Sequence, residues 1–117
     1  MTEKAAASLL SLNVECKGSV TLVHCHGKLV VGVNDTFYTK VSQLIPGTTR
    51  IVLDLTDLAY MDSAGLGALV RLYVSARSAG SSLELVNLGK RIQDLLKLTH
   101  LWAVFTIIGE NGITMRF

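Results

Sequence analysis

A chain of 117 residues, half of them hydrophobic, is long enough to bury one core and too short for two, so a single domain over residues 1–117 is expected. The net charge is only +2, and the eleven lysines and arginines are scattered without a run that could track a phosphate backbone, which argues against nucleic acid as a partner. Charges interrupt every apolar block before the roughly 18 residues of a membrane span. Glu3 stands where a secretory signal would be basic, so the expected location is the cytoplasm.

In chain order, Leu12 to Lys17 and Val20 to Leu29 are apolar runs joined through Lys17-Gly18-Ser19, the pattern of a β-hairpin whose glycine supplies a positive φ. Cys16 and Cys25 fall on these neighbouring strands and read as reduced thiols, not as a disulfide. Asn34-Asp35-Thr36 offers a choice of helix caps ahead of Phe37, Val41, Leu44 and Ile45 at helical spacing, and Pro46-Gly47 stops that helix. Ile51 to Leu55 has the composition of a strand buried on both faces of a parallel sheet.

The helix that follows places Leu66, Leu69, Val70, Tyr73 and Ala76 on one side, with Gly80 as its C-terminal cap. Leu83 to Leu88 reads as a strand, Ile92, Leu95 and Leu96 mark a third helix reaching about His100, and Val104 to Ile108 reads as the last strand. Asn111-Gly112 signals a turn into a short terminal hairpin. The order ββαβαβαβ implies an α/β fold with a mixed, mainly parallel sheet of four to five strands packed against helices through right-handed crossovers.

The segment Asp62-Ser63-Ala64-Gly65 carries the chain from strand to helix and sets the Ser63 hydroxyl at a helix start, where unpaired N–H groups and the helix dipole tolerate a phosphoserine. Hydrolysis is a poor reading of Ser63, because the glycine of a nucleophile elbow is missing two residues before it and none of His24, His26 or His100 is placed beside it. Gly65 and Gly67 suggest a dinucleotide turn, but Val70 stands at the third small position, and Gly89-Lys90-Arg91 lacks the hydroxyl of a phosphate loop. Close packing of the helix start on the sheet is the simpler role for both glycines.

His24 and His26 share one strand face while Cys25 points to the other, so no closed zinc set forms there. Asp54, Asp57 and Asp62 cluster near the strand end, where they could hold magnesium or act as acid and base. Asp57 suits a turn and Asp62 the helix dipole, which leaves Asp54 the least explained of the three. Neither a metal, nor a cofactor, nor catalysis is expected.

Gly27-Lys28-Leu29 closing the second strand, Phe37, Ile51-Val52-Leu53-Asp54-Leu55, Met61-Asp62-Ser63-Ala64-Gly65-Leu66, and Leu83-Glu84-Leu85-Val86 followed by Ile92 and Leu95 together resemble the STAS domain, specifically the stand-alone anti-sigma factor antagonists of bacteria. The resemblance implies partner switching. In that scheme Ser63 is phosphorylated by an anti-sigma factor that is a serine kinase of histidine-kinase-like ATPase fold, the unphosphorylated form binds that kinase and frees the sigma factor, and a phosphoserine phosphatase resets the cycle. The partner surface would then comprise Asp62, Ser63, Ala64, Gly65, Leu66 and Gly67. Val30 stands where many antagonists have an acid, and no helical pattern follows the last strand. These two departures keep a second expectation alongside, a non-enzymatic STAS subunit or scaffold of a lipid-transport ATPase or stress-signalling complex.

Overall fold

Gly18, at a φ of +63°, reverses the chain between β1 (Leu10–Lys17) and β2 (Val20–Leu29), which pair antiparallel without a break from Leu10 opposite Gly27 to Lys17 opposite Val20. This hairpin begins a computed structural model that describes residues 9–108 and 114–115. There follow α1 (Asn34–Ser42), β3 (Arg50–Met61), α2 (Ser63–Ser78), β4 (Ser82–Val86), α3 (Lys90–Leu98), β5 (Thr106–Ile108) and β6 (Thr114–Met115). The six strands lie across the sheet in the order β1-β2-β3-β4-β5-β6, parallel from β2 to β5 and antiparallel at both edges. The anticipated four to five strands thus gain a short sixth at the edge, while the Asn111-Gly112 turn itself lies outside the described residues.

A sheet that grows in one direction through right-handed crossovers carries its helices on one face. The core shows it. Val23 and Cys25 of β2, Ile51, Leu53 and Leu55 of β3, and Leu83 and Leu85 of β4 form one cluster with Phe37 and Val41 of α1, Leu66, Ala68, Leu69, Leu72 and Ala76 of α2, and Ile92 and Leu96 of α3. Side chains alternate along a strand, so these positions all point to the helical layer. Each fully buried leucine or phenylalanine in it stabilises the fold by about 1.5–3 kcal/mol.

On the opposite face polar side chains satisfy one another. The Arg50 guanidinium donates to both carboxylate oxygens of Glu84, at 2.6 and 2.7 Å, and Val52 is only 8% exposed beside them. Ile51 to Leu55 is therefore shielded on both faces, as its composition implied, although the described helices cover only one.

Several local expectations shift. No side chain of Asn34, Asp35 or Thr36 caps α1: the helix starts a residue early with Val33 at the N-cap position and no side-chain cap bond, because a turn donating Val33 N and Asn34 N to the Val30 carbonyl leads straight into it. Leu44 and Ile45 lie past the end of α1 in a tighter turn, yet Ile45 still reaches the core. The strand expected at 104–108 is Thr106–Ile108 alone, since Val104 N bonds back to the Leu101 carbonyl. Gly80 closes α2 as expected: at a φ of +79°, its N–H donates to the Arg77 carbonyl while Ser81 N donates to that of Ala76, a Schellman closure.

Candidate functional site

β3 runs on to Met61, six residues beyond the apolar run of Ile51 to Leu55, and delivers Asp62 and Ser63 at the end of the sheet beside the loop that leaves β2. Asp62 is the N-cap of α2, with extended backbone. Its Oδ1 accepts from Gly65 N at 3.0 Å and its Oδ2 from Val31 N at 3.0 Å, so one carboxylate ties the helix start to the β2–α1 loop. Leu66 N completes the first helical bond to the Asp62 carbonyl, and Asp62 N donates to the Leu29 carbonyl.

Ser63, the first helical residue, is exposed, and its backbone is held by bonds on either side of it. Here the hydroxyl stands in solvent over a fixed frame, at the positive end of a helix sixteen residues long. The residues flanking Ser63 sort by burial into two roles. Leu66 is 7% exposed and packs into the core, and Gly65 is buried, so of the six residues expected to meet a partner these two present the least surface. Their helix face turns inward, where Gly65 lies against the Leu29 carbonyl of β2.

A Cβ on Gly65 would fall 2.1 Å from the Leu29 carbonyl oxygen, which confirms close packing there. Gly67 is different: a Cβ there would meet nothing within 4 Å, so close packing does not explain it. Gly67 lies four residues after Ser63, on the same side of α2, and both are exposed. Gly67→Ala is accordingly expected to stabilise the fold by about 1 kcal/mol, raising the melting temperature by several degrees, because the helix gains propensity at no steric cost.

Backbone hydrogen bonds, foremost those from Val31 and Gly65, hold the Asp62 carboxyl below its ordinary 3.8. Partial burial raises the Asp54 carboxyl, but hydrogen bonds from the Thr56 hydroxyl and amide, Asn87 and His24 outweigh it, and the net shift is downward. The folded chain therefore releases these protons more readily than the unfolded one, so their stabilisation is complete above the ordinary value and is lost as pH falls through the lowered folded values. Thermal melts are expected to drop steeply below about pH 4, with a shallower drop in Asp62→Asn.

The three aspartates suggested as a metal or acid–base group part company. Asp62 caps α2. Asp54 Oδ2 meets His24 Nδ1 at 2.9 Å, with Glu15 on the other ring nitrogen at 3.4 Å. Asp57 meets His26 at 3.2 Å and lies inside β3, where the β2 register slips by one residue, so it does not make the expected turn. No group of three metal-ligating side chains forms among the described residues. Asp54, the residue hardest to explain from sequence, is thus the centre of a cross-strand network on the sheet face away from the helices.

Sequence reasoning passed over two features near Ser63. One is Val31, 71% exposed and bonded through its N–H to Asp62; only the departure at Val30 drew notice to that loop. The other is Tyr60, whose ring carries the Arg91 guanidinium 4.5 Å from its centroid. Neither has a local sequence signal, since both depend on chain segments about thirty residues apart.

The family model described as the STAS domain matches residues 11–111. The chain belongs to the STAS-domain family. A Bacillus subtilis (strain 168) protein named anti-sigma-B factor antagonist is 29% identical over 104 residues, covering 87% of this chain and 95% of its own. The protein of the same name from Listeria monocytogenes is 38% identical over 60 residues, about half of each chain, at 51% and 53%.

Among solved structures, the anti-sigma factor antagonist SpoIIAA superposes in its unphosphorylated form at a TM-score of 0.73 and 17% identity, over 86% of this chain and 90% of that one. Its phosphorylated Bacillus form superposes at 0.68, with the same identity, over 86% and 94%. The STAS fold alone is what this likeness shows. The same holds for the murine anion transporter Slc26a9, which superposes at 0.64 and 19% identity over 72% of this chain but 14% of the transporter. Among the described residues of this STAS chain, no helix is long and apolar enough to cross a membrane.

Proposed function

We propose that the chain is an anti-sigma factor antagonist switched by phosphorylation of Ser63, binding a serine-kinase anti-sigma factor when unphosphorylated and released when the phosphate is on. One observation carries the reading. Ser63 is exposed on a helix start whose cap carboxylate is already held by two backbone N–H groups, so the hydroxyl can be modified without disturbing the frame beneath it. A phosphate adds about −1.5 to −2 charge at pH 7. At the N-terminus of α2 that charge is tolerated by the fold, while a partner covering Ser63 meets it directly.

The relatives support the role, being named anti-sigma factor antagonists, and SpoIIAA is known in both phosphorylation states. The role needs no catalysis by this chain, and the partner and the phosphatase do the chemistry. The chain is incubated with a histidine-kinase-like anti-sigma kinase and ATP, and the phosphate is mapped by mass spectrometry. Phosphate on Ser63, absent from Ser63→Ala, is the expected result; modification elsewhere, or none, would remove the mechanism.

A further inference from the structure

We propose that the stack of Arg91 on Tyr60 is a second docking point for the partner that covers Ser63, and that it takes a carboxylate from an acidic patch on that protein. The inference rests on the switch proposed above. Tyr60 precedes Ser63 by three residues, a path of at most about 11 Å. With the guanidinium 4.5 Å from the ring centroid, a docking patch of standard size, about 800 Å² on each partner, that is centred on Ser63 spans both.

The chemistry of the stack specifies the contact. A guanidinium lying on an aromatic ring keeps its in-plane N–H donors at the rim, where they match a carboxylate in two-pronged fashion. Arg50, Arg71 and Lys90 each have a carboxylate of this chain beside them, Glu84, Asp35 and Asp94 respectively. Among the described residues neither Arg91 nor Lys28 has one, and Lys28 is the register neighbour of Tyr60 across the β2–β3 ladder. One cation therefore lies on the ring, and a second sits at the neighbouring register position. α3 moreover opens with Lys90 and Arg91, has no acid in its first turn and no side-chain cap, an arrangement that the helix dipole disfavours. A locally unfavourable placement of charge that gains nothing in the interior is what a contact surface leaves behind.

The sign of the switch points the same way. A phosphate on Ser63 drives a partner off by charge where that partner, together with any nucleotide it holds, brings negative charge to the patch; a basic partner would be held more tightly. An acidic patch facing Arg91 and Lys28 satisfies both states, attracted to the unmodified surface and repelled once phosphoserine stands among the cations.

Affinity for the anti-sigma kinase is measured by titration calorimetry at low and moderate salt for the wild-type chain, Arg91→Lys, Arg91→Ala and Arg91→Glu, with melting temperatures as the check on folding. Arg91→Glu is expected to weaken binding tenfold or more, Arg91→Ala less, and Arg91→Lys least, with a smaller salt dependence than wild type once the charge is gone. A lysine placed at the responsible kinase acid is expected to restore binding to Arg91→Glu. Equal affinity of wild type and Arg91→Glu would overturn the second docking point while docking at Ser63 stands; failure of the wild-type chain to bind the kinase would remove both.

Discussion

Gly65→Ala is expected to destabilise the fold by about 3 kcal/mol, a large part of the 5–15 kcal/mol typical of a domain this size. The added methyl would lie 2.1 Å from the Leu29 carbonyl oxygen and 2.9 Å from the carbon of that group and from the Leu29 Cγ. Backbone cannot swing aside as a side chain does. Relief requires α2 to lift from β2, which loosens Leu66 and Leu69 in the core and stretches the bond from Asp62 N to the same Leu29 carbonyl. Chemical unfolding of Gly65→Ala beside Gly67→Ala is the sharpest measurement, because one substitution at the same helix start is expected to lower the midpoint and the other to raise it.

Ser63→Asp is expected to weaken binding of the anti-sigma kinase by about 100-fold or more, like charges opposed across an interface costing several kcal/mol. Its melting temperature should stay close to wild type, since an acid in the first turn of α2 suits the dipole. Ser63→Ala, which keeps the frame and cannot be modified, should bind constitutively in the presence of ATP. Binding by Ser63→Asp as tight as by Ser63→Ala would show that charge at this position does not control the complex.

What was legible in the sequence follows from how local its causes are. The hairpin at Gly18, the apolar β3, the Schellman closure at Gly80 and the placing of Ser63 at a helix start all depend on residues within a few positions of one another, and each was readable. Asp54 was not, because His24 lies thirty residues away and meets it only when β2 and β3 pair. The same distance hid Val31 from Asp62, although the cap itself was half seen as a favourable charge near the dipole. Gly65 and Gly67 look alike in sequence, and only the approach of Leu29 tells one from the other. The capping choice at Asn34 to Thr36 failed for the opposite reason: three good caps in a row do not say which is used, and a turn through Val30 to Asn34 made all three superfluous.

Strands that sit side by side in the order of their synthesis have a consequence for how the chain comes into being. Each new strand emerging from the ribosome finds its berth already built by the one before, so neither terminus has to wait for the other and the loops to be closed stay short. Assembly can then proceed as a ratchet, hairpin first and one crossover at a time, with β1 as the fixed edge and one growing edge at every stage.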